Sequence, residues 1–217
     1  MTGAEGGHCP PSFGLPPGYF DEEDGQELLD RIRALPGARI LVAVAGAPGS
    51  GKSTLAESLV ERLQDAVLVP MDGFHLDDRV LDARGLRRRK GAVETFDAEG
   101  FASLVTRLAV PGAEVVFPLF DRSREIAVAG SGVVDSGHRI VVIEGNYLLL
   151  DAAPWNGLRY DLTVWLDVPE AELERRLTER WQGYGKDADQ IAAHLRNDLA
   201  NARFVTSRSR PADLSVA

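Results

Sequence analysis

The 217-residue sequence predicts an α/β fold, a doubly wound parallel sheet in a three-layer sandwich with a helical lid. Three observations predict it. Continuous apolar runs of strand length recur along the chain. Segments of helical periodicity separate several of them. One glycine-rich turn has an apolar run before it and an amphipathic stretch after it.

Residues 1–18 are rich in Gly and Pro, so residues 1–20 are expected to form a flexible tail ahead of one unit at 21–217. A helix is expected over Asp21–Leu35, with Asp21 as N-cap and Leu28, Leu29 and Ile32 on one face; Pro36 and Gly37 stop it. Arg39–Ala45 (RILVAVA) is apolar throughout, as in a parallel strand covered on both faces. Further strands are expected at Ala66–Pro70, Glu114–Phe117, Arg139–Glu144, Leu162–Leu166 and Ala212–Val216. Helices are expected at Ser53–Gln64, Ala98–Val110, Pro169–Trp181 and Asp187–Val205. No repeat and no linker to a second domain is visible.

The composition is that of a globular chain able to bury a core, 44% hydrophobic and 26% charged. A net charge of -9 argues against general nucleic-acid binding, which needs a basic domain. Cys9 is the single cysteine, so no intramolecular disulfide can form. No run approaches the ~18 apolar residues of a membrane span. The first residues lack the basic and apolar regions of a secretory signal, so the expected compartment is the cytoplasm.

Gly46-Ala47-Pro48-Gly49-Ser50-Gly51-Lys52-Ser53-Thr54 matches G-x-x-x-x-G-K-[ST], with strand and helix on the correct sides. Glycines let backbone N–H groups converge on phosphates, and the helix N-terminus adds positive charge. Lys52 is placed to reach the β- and γ-phosphates of a nucleoside triphosphate, and the Ser53 hydroxyl to ligate Mg²⁺. The fold expected is therefore that of a P-loop NTPase, with ATP and Mg²⁺ as its expected ligands.

A P-loop binds; it does not define a reaction. None of the four asparagines, Asn146, Asn156, Asn197 and Asn201, sits in an Asn-Lys-x-Asp guanine motif. The second strand runs into Met71-Asp72-Gly73-Phe74-His75. A carboxylate at a strand's C-terminal end, beside the phosphate loop, suits a general base for an acceptor hydroxyl; the alternative for Asp72 is an Asx turn or helix cap. Arg175, Arg176 and Arg180 follow the strand LTVWL. They fit either a closing lid that screens the transferring phosphate or a solvated face paired with Glu172, Glu174 and Glu179. The run Arg84–Lys90 reads as a solvated loop offsetting nearby acids, or as an electropositive mouth for an anionic acceptor. His75 is open between substrate contact and turn cap. His138 is expected at the surface. Asn197 and Asn201 are open between facing a ligand and exposed helix positions. Trp155, Trp165 and Trp181 are expected to pack in the core or lid.

Taken together, these strings resemble the P-loop kinases that include uridine kinase, bacterial type I pantothenate kinase and phosphoribulokinase, over roughly Arg39 to Val205. The likeness rests on the phosphate loop, on Met71–His75, on Lys90-Gly91-Ala92-Val93-Glu94-Thr95-Phe96-Asp97, on Phe117–Arg122, on Ile143-Glu144-Gly145-Asn146-Tyr147-Leu148-Leu149 and on the arginine helix. Within that group the chain is most similar to bacterial proteins described as uridine kinase-like, or provisionally as fructose-transport-system kinases. The resemblance implies that residues 21–217 form a kinase domain with a lid at about 175–190. It implies Asp72 as general base and Glu144 as the carboxylate that helps Ser53 hold Mg²⁺. Asp97 matches the residue that grips ribose hydroxyls in uridine kinases, and Arg176 and Arg180 match lid arginines. The acceptor half then falls at Asp72–His75, Lys90–Asp97 and Phe120–Arg122, with His75, Lys90, Asp97, Asp121 and Arg122 as its binding residues. Where uridine kinases carry a Tyr-Asp-Phe…His stretch, this chain has Phe120-Asp121-Arg122-Ser123-Arg124. The expected activity is Mg-ATP-dependent phosphorylation of a hydroxyl on a sugar, nucleoside or pantothenate-like metabolite, with no nucleic-acid or membrane partner and a homodimer left open. The alternative is an NTP-binding regulator or ATPase with no metabolite acceptor.

Overall fold

The computed structural model describes residues 22–216. The tail expected at 1–20 and the cap expected at Asp21 lie outside the described residues. Five parallel strands form the central sheet: β1 (Ile40–Gly46), β2 (Ala66–Pro70), β5 (Ile140–Gly145), β6 (Leu162–Leu166) and β7 (Leu214–Val216), in the order β2-β5-β1-β6-β7. From β1 the chain crosses to the edge strand β2, returns with β5 between the two, and continues on the far side of β1 with β6 and β7, a parallel sheet as the apolar runs predicted.

Alternation along β1 shows why its run is apolar throughout. Ile40, Val42 and Val44 face α1 (Glu22–Ala34) and α2 (Lys52–Arg62), packing with Leu28, Ile32, Leu55 and Leu59. Leu41, Ala43 and Ala45 belong to the opposite layer, built from α4 (Ala98–Leu108), α5 (Glu170–Gly183) and α6 (Ala188–Arg208) through Phe101, Leu104, Leu173, Leu177 and Val205. A strand buried on both faces has no place for a polar side chain. The aromatic heart of the second layer is Phe101, Tyr147 and Trp155, with Trp155 centred 5.5 Å from Phe101 and 5.9 Å from Tyr147. Trp155 is thus core, as expected.

One expectation is corrected. The apolar run near Glu114–Phe117 is not a strand of the parallel sheet. It is β3 (Val115–Asp121), which pairs antiparallel with β4 (Ile126–Val134) in a separate two-stranded ribbon. An Asx turn closes the ribbon: Asp121 Oδ1 accepts from the Ser123 amide at 3.0 Å, the Ser123 hydroxyl at 2.6 Å and the Arg124 amide at 3.2 Å. The short helix α3 (Asp78–Ala83), capped by Asp77, is a second element the sequence pattern did not predict.

Candidate active site

The parallel register brings three strand ends together. Val44 of β1 and Pro70 of β2 both pair with Glu144 of β5. The phosphate loop, Asp72 and Glu144 therefore emerge at one carboxyl edge of the sheet, where ligands bind in doubly wound folds.

The loop leaves β1 at Gly46 and enters α2 at Lys52. Gly49 and Gly51 have φ of 82° and 93°, left-handed values that strain other residues. Position 46 needs glycine for another reason: a Cβ there would lie 2.6 Å from Ser50 Oγ. Ser50 is fully buried, and its hydroxyl has no hydrogen-bond partner. A loop of this shape, with an orphaned donor at its centre and a helix N-terminus behind it, fits an anion.

Ser53 Oγ donates to Glu144 Oε2 at 3.2 Å, in a pocket where Glu144 is 5% exposed. Burial pushes the Glu144 carboxyl above its ordinary range, against the opposing charge of Lys52. Burial also pushes the Lys52 ammonium down, while Glu144 and Asp72 hold it up. One carboxylate and one hydroxyl are hard oxygen donors of the kind Mg²⁺ takes. Among the described residues no group of three or more His, Cys, Asp or Glu is placed to hold a metal. The donor set fits an ion that draws its remaining ligands from phosphate and water, as Mg²⁺ does in nucleotide sites.

Asp72 sits in a single turn of 3-10 helix, Met71–Phe74. Its carboxylate accepts from Arg122 Nη2 at 2.6 Å. Burial pushes the Asp72 carboxyl up, but His75, Arg122, Lys52 and Arg180 outweigh it and hold the group below the usual carboxylate range. It is ionised at neutral pH. The ribbon presses against this turn, since a Cβ on Gly73 would lie 2.1 Å from the Pro118 carbonyl oxygen. Gly73→Ala is accordingly expected to displace the ribbon and to cost on the order of 1–3 kcal/mol, the usual penalty of overpacking, read as a lowered denaturant midpoint.

His75 lies between Phe96 and Phe120, with ring centroids 4.0 and 4.8 Å away. Its Nδ1 donates to the Asp72 carbonyl at 2.8 Å, so Nδ1 carries the proton. Burial drives its pKa down despite Asp72, and the ring is neutral at neutral pH. Lys90 is held by Asp78 at 3.0 Å and Glu125 at 3.4 Å, with its ammonium 5.3 Å from the Phe120 ring centre. Asp97 caps α4, its Oδ1 accepting from the Gly100 amide at 3.0 Å. Asp97→Ala is expected to cost about 1 kcal/mol as a lost N-cap, seen as a drop in thermal midpoint.

The arginine helix divides its labour. Arg175 pairs with Glu172 and Glu179 on the solvent face, as the i, i+4 spacing allowed. Arg176 pairs with Glu172 at 2.7 Å and donates through Nη1 to the Ser50 carbonyl at 3.1 Å, so it braces the phosphate loop. Arg180 reaches Lys52, Asp72 and Asp198 with its charge. In the basic run, Arg87 is paired with Asp78 and Asp82, and Arg89 with Glu94. Those two bear out the solvated reading.

Sequence reasoning undervalued α6. Asn197 Nδ2 donates to the Lys90 carbonyl at 3.0 Å, and Asn201 is 7% exposed, so neither is an ordinary surface position. Tyr147 donates to the Gly91 carbonyl at 2.7 Å, fixing the same loop from the sheet side. Asp198 went unnoticed: burial raises its carboxyl while the Trp181 indole donates to it at 2.8 Å. Trp181 also stacks on His194 at 3.9 Å, joining α5 to α6. The sequence carried one signal for these contacts, polar residues recurring at one-turn spacing on an otherwise amphipathic helix.

A phosphate-binding loop, a buried carboxylate beside its serine and an ionised aspartate at the same sheet edge define a nucleotide-dependent phosphotransferase. The model for the phosphoribulokinase/uridine kinase family matches residues 41–217, and the chain belongs to that family. A provisionally named uridine kinase of Schizosaccharomyces pombe is 36% identical over 183 residues, 77% of this chain and 78% of its own. The structure of a provisionally named fructose transport system kinase from Silicibacter sp. TM1040 is 48% identical, with a TM-score of 0.81 over 88% of this chain and 96% of that one. A pantothenate kinase of Streptomyces coelicolor is 30% identical over 67% of this chain, which spans about half (49%) of that longer protein. The chain is thus a kinase with a hydroxyl acceptor, its fold that of the P-loop NTPases. No helix of the described residues is long and apolar enough to cross a membrane.

Proposed function

We propose that this chain is a Mg-ATP-dependent kinase that transfers the γ-phosphate to a hydroxyl of a small metabolite, the candidate acceptors being a sugar, a nucleoside or a pantothenate-like compound. The observation that carries the reading is Asp72, ionised at the same sheet edge as the phosphate loop and near enough to Lys52 for their charges to interact. A pure nucleotide switch has no use for such a carboxylate.

Residues 46–54 hold the β- and γ-phosphates, with Lys52 neutralising their charge. Ser53 and Glu144 would hold Mg²⁺, which when bound would offset the phosphate charge. Asp72 accepts the proton of the acceptor hydroxyl. The acceptor oxygen forms a bond to the γ-phosphorus, the bond to the β–γ bridging oxygen breaks, and ADP departs with that electron pair. Arg180 stabilises the charge on the transferring group, and Arg176 keeps the loop in shape. The lid is the segment at about 175–190, where α5 ends and α6 begins; Leu177 anchors it, and the rest of both helices stays packed in the second core layer. Lys90–Asp97 and Phe120–Arg122 form the acceptor wall. The supporting observation is that Asn197 of α6 and Tyr147 behind β5 both hold the backbone of that wall. We place the protein in the cytoplasm, where ATP is supplied.

The test is an ADP-release screen of the purified protein with Mg-ATP over a library of hydroxyl metabolites. ADP release stimulated at least ~10-fold by one chemical class supports the reading, the scale being one tenfold step of barrier. Slow release indifferent to every acceptor favours the ATPase alternative.

A further inference from the structure

We infer, resting on the kinase reading above, that the acceptor is a small hydroxy compound carrying a carboxylate or phosphate group, and that this anion is bound by Arg122.

The argument begins with how the cleft has spent its carboxylates. A neutral sugar or nucleoside is gripped by carboxylates that accept from its hydroxyls. In the acceptor wall, Asp97 is committed to the α4 cap and Asp121 to its own turn with Ser123 and Arg124. Glu125 and Asp78 hold Lys90. The Nδ1 donor of His75 is used on the Asp72 carbonyl. One or both oxygens of each of these carboxylates are thus engaged within the protein.

Arg122 differs. Its side chain is 47% exposed, and its ion-pair partner is the base itself, Asp72, at 2.6 Å. A guanidinium has five N–H donors in a planar fork, and the bond to Asp72 engages one. The remaining donors suit a second oxyanion, which Arg binds in bidentate fashion. Arg122 is also held in place: it follows β3, whose Pro118 carbonyl packs against Gly73 beside Asp72. An anion on Arg122 would set its own hydroxyl against Asp72, provided the two groups are separated by only a few bonds.

Such binding would also serve the chemistry. A carboxylate bonded to a guanidinium at short range is a weak proton acceptor. When the acceptor's anion shares Arg122, the hold on Asp72 loosens and its basicity rises. A neutral compound would leave Asp72 clamped. Productive transfer and acceptor charge are thereby linked at one arginine.

The experiment uses the whole protein with Mg-ATP and a panel of short hydroxy acids, sugar phosphates and their neutral counterparts (esters, amides, unphosphorylated sugars and nucleosides). Acceptor-dependent ADP release is measured for wild type and Arg122→Met. The expected result is turnover of anionic members over their neutral counterparts, with Arg122→Met raising the KM of the active acceptor by about 10–100-fold, the weight of a charge-assisted hydrogen bond, while the KM for ATP stays within about threefold. The hydroxy-acid and sugar-phosphate arms tell which anion is taken. Neutral members turned over as well as anionic ones would overturn this inference and leave the kinase reading standing. So would an Arg122→Met defect shared equally by the KM for ATP. ADP release stimulated by no member of the panel overturns both.

Discussion

Asp72→Asn is expected to lower kcat by about 10²-fold or more, the contribution of a positioned general base. Asparagine keeps the size of the side chain and its reach to Arg122, but it cannot take the proton. KM for ATP is expected to change little, because the loop backbone makes the phosphate cradle and Glu144 still supports the charge of Lys52. Steady-state kinetics under saturating Mg-ATP check the result, and unchanged turnover would remove Asp72 from the mechanism. The pH profile adds a second reading. The folded Asp72 carboxyl lies below the ordinary range, so it stays ionised as pH falls until well into the acid side. The stability it adds is present above its unfolded pKa and is lost as pH falls through its folded one. Asp72→Asn should therefore narrow the stability difference between variant and wild type as pH is lowered.

Lys52→Met is expected to reduce kcat/KM by about 10²–10³-fold, the scale of losing one preorganised charge at the transferring phosphate. Methionine fills the buried stem without the ammonium. The charge matters to its neighbour as well, since Lys52 is the largest force holding the Glu144 carboxyl down against burial. Without Lys52 the Glu144 carboxyl rises further, and protons compete more strongly for the oxygen that Mg²⁺ needs. The loss of Mg-ATP affinity in Lys52→Met should thus grow as pH is lowered. Titration calorimetry at several pH values measures it. A pH-independent loss would separate Glu144 from the ion.

The parallel sheet was legible because its strands are buried on both faces. The runs at Arg39–Ala45 and Arg139–Glu144 admit no other packing, and structure places β1 and β5 within a residue of them. The ribbon was not legible for the opposite reason. β4 (IAVAGSGVV) has a mostly solvent-facing pattern with Gly and Ser in its middle, so no buried face marks it. In the site, the phosphate loop announced itself through residues that only a phosphate cradle needs together. The acceptor half was harder to read, because a carboxylate's chemistry depends on which groups have claimed its oxygens. Asp97 and Asp121 look like binding residues in the sequence, yet both are bonded to their own backbone neighbourhoods. Arg122 shows the reverse: nothing in the string Phe-Asp-Arg-Ser-Arg indicates that its guanidinium reaches an aspartate fifty residues earlier. Long-range pairing of this kind belongs to the packed chain. Asn197 was undervalued in the same way, since its partner is a backbone carbonyl 107 residues away.

The decisive measurement follows a labelled γ-phosphate. The purified protein is given ATP labelled at that position, Mg²⁺ and the acceptor class that stimulates ADP release, and the label is traced. A two-ligand site built from the phosphate loop, Lys52 and Asp72 predicts that the label appears in an acid-stable phosphate ester of the acceptor, in step with ADP, and that Asp72→Asn abolishes this transfer. Label recovered wholly as inorganic phosphate, at the same rate with and without acceptor, would contradict it.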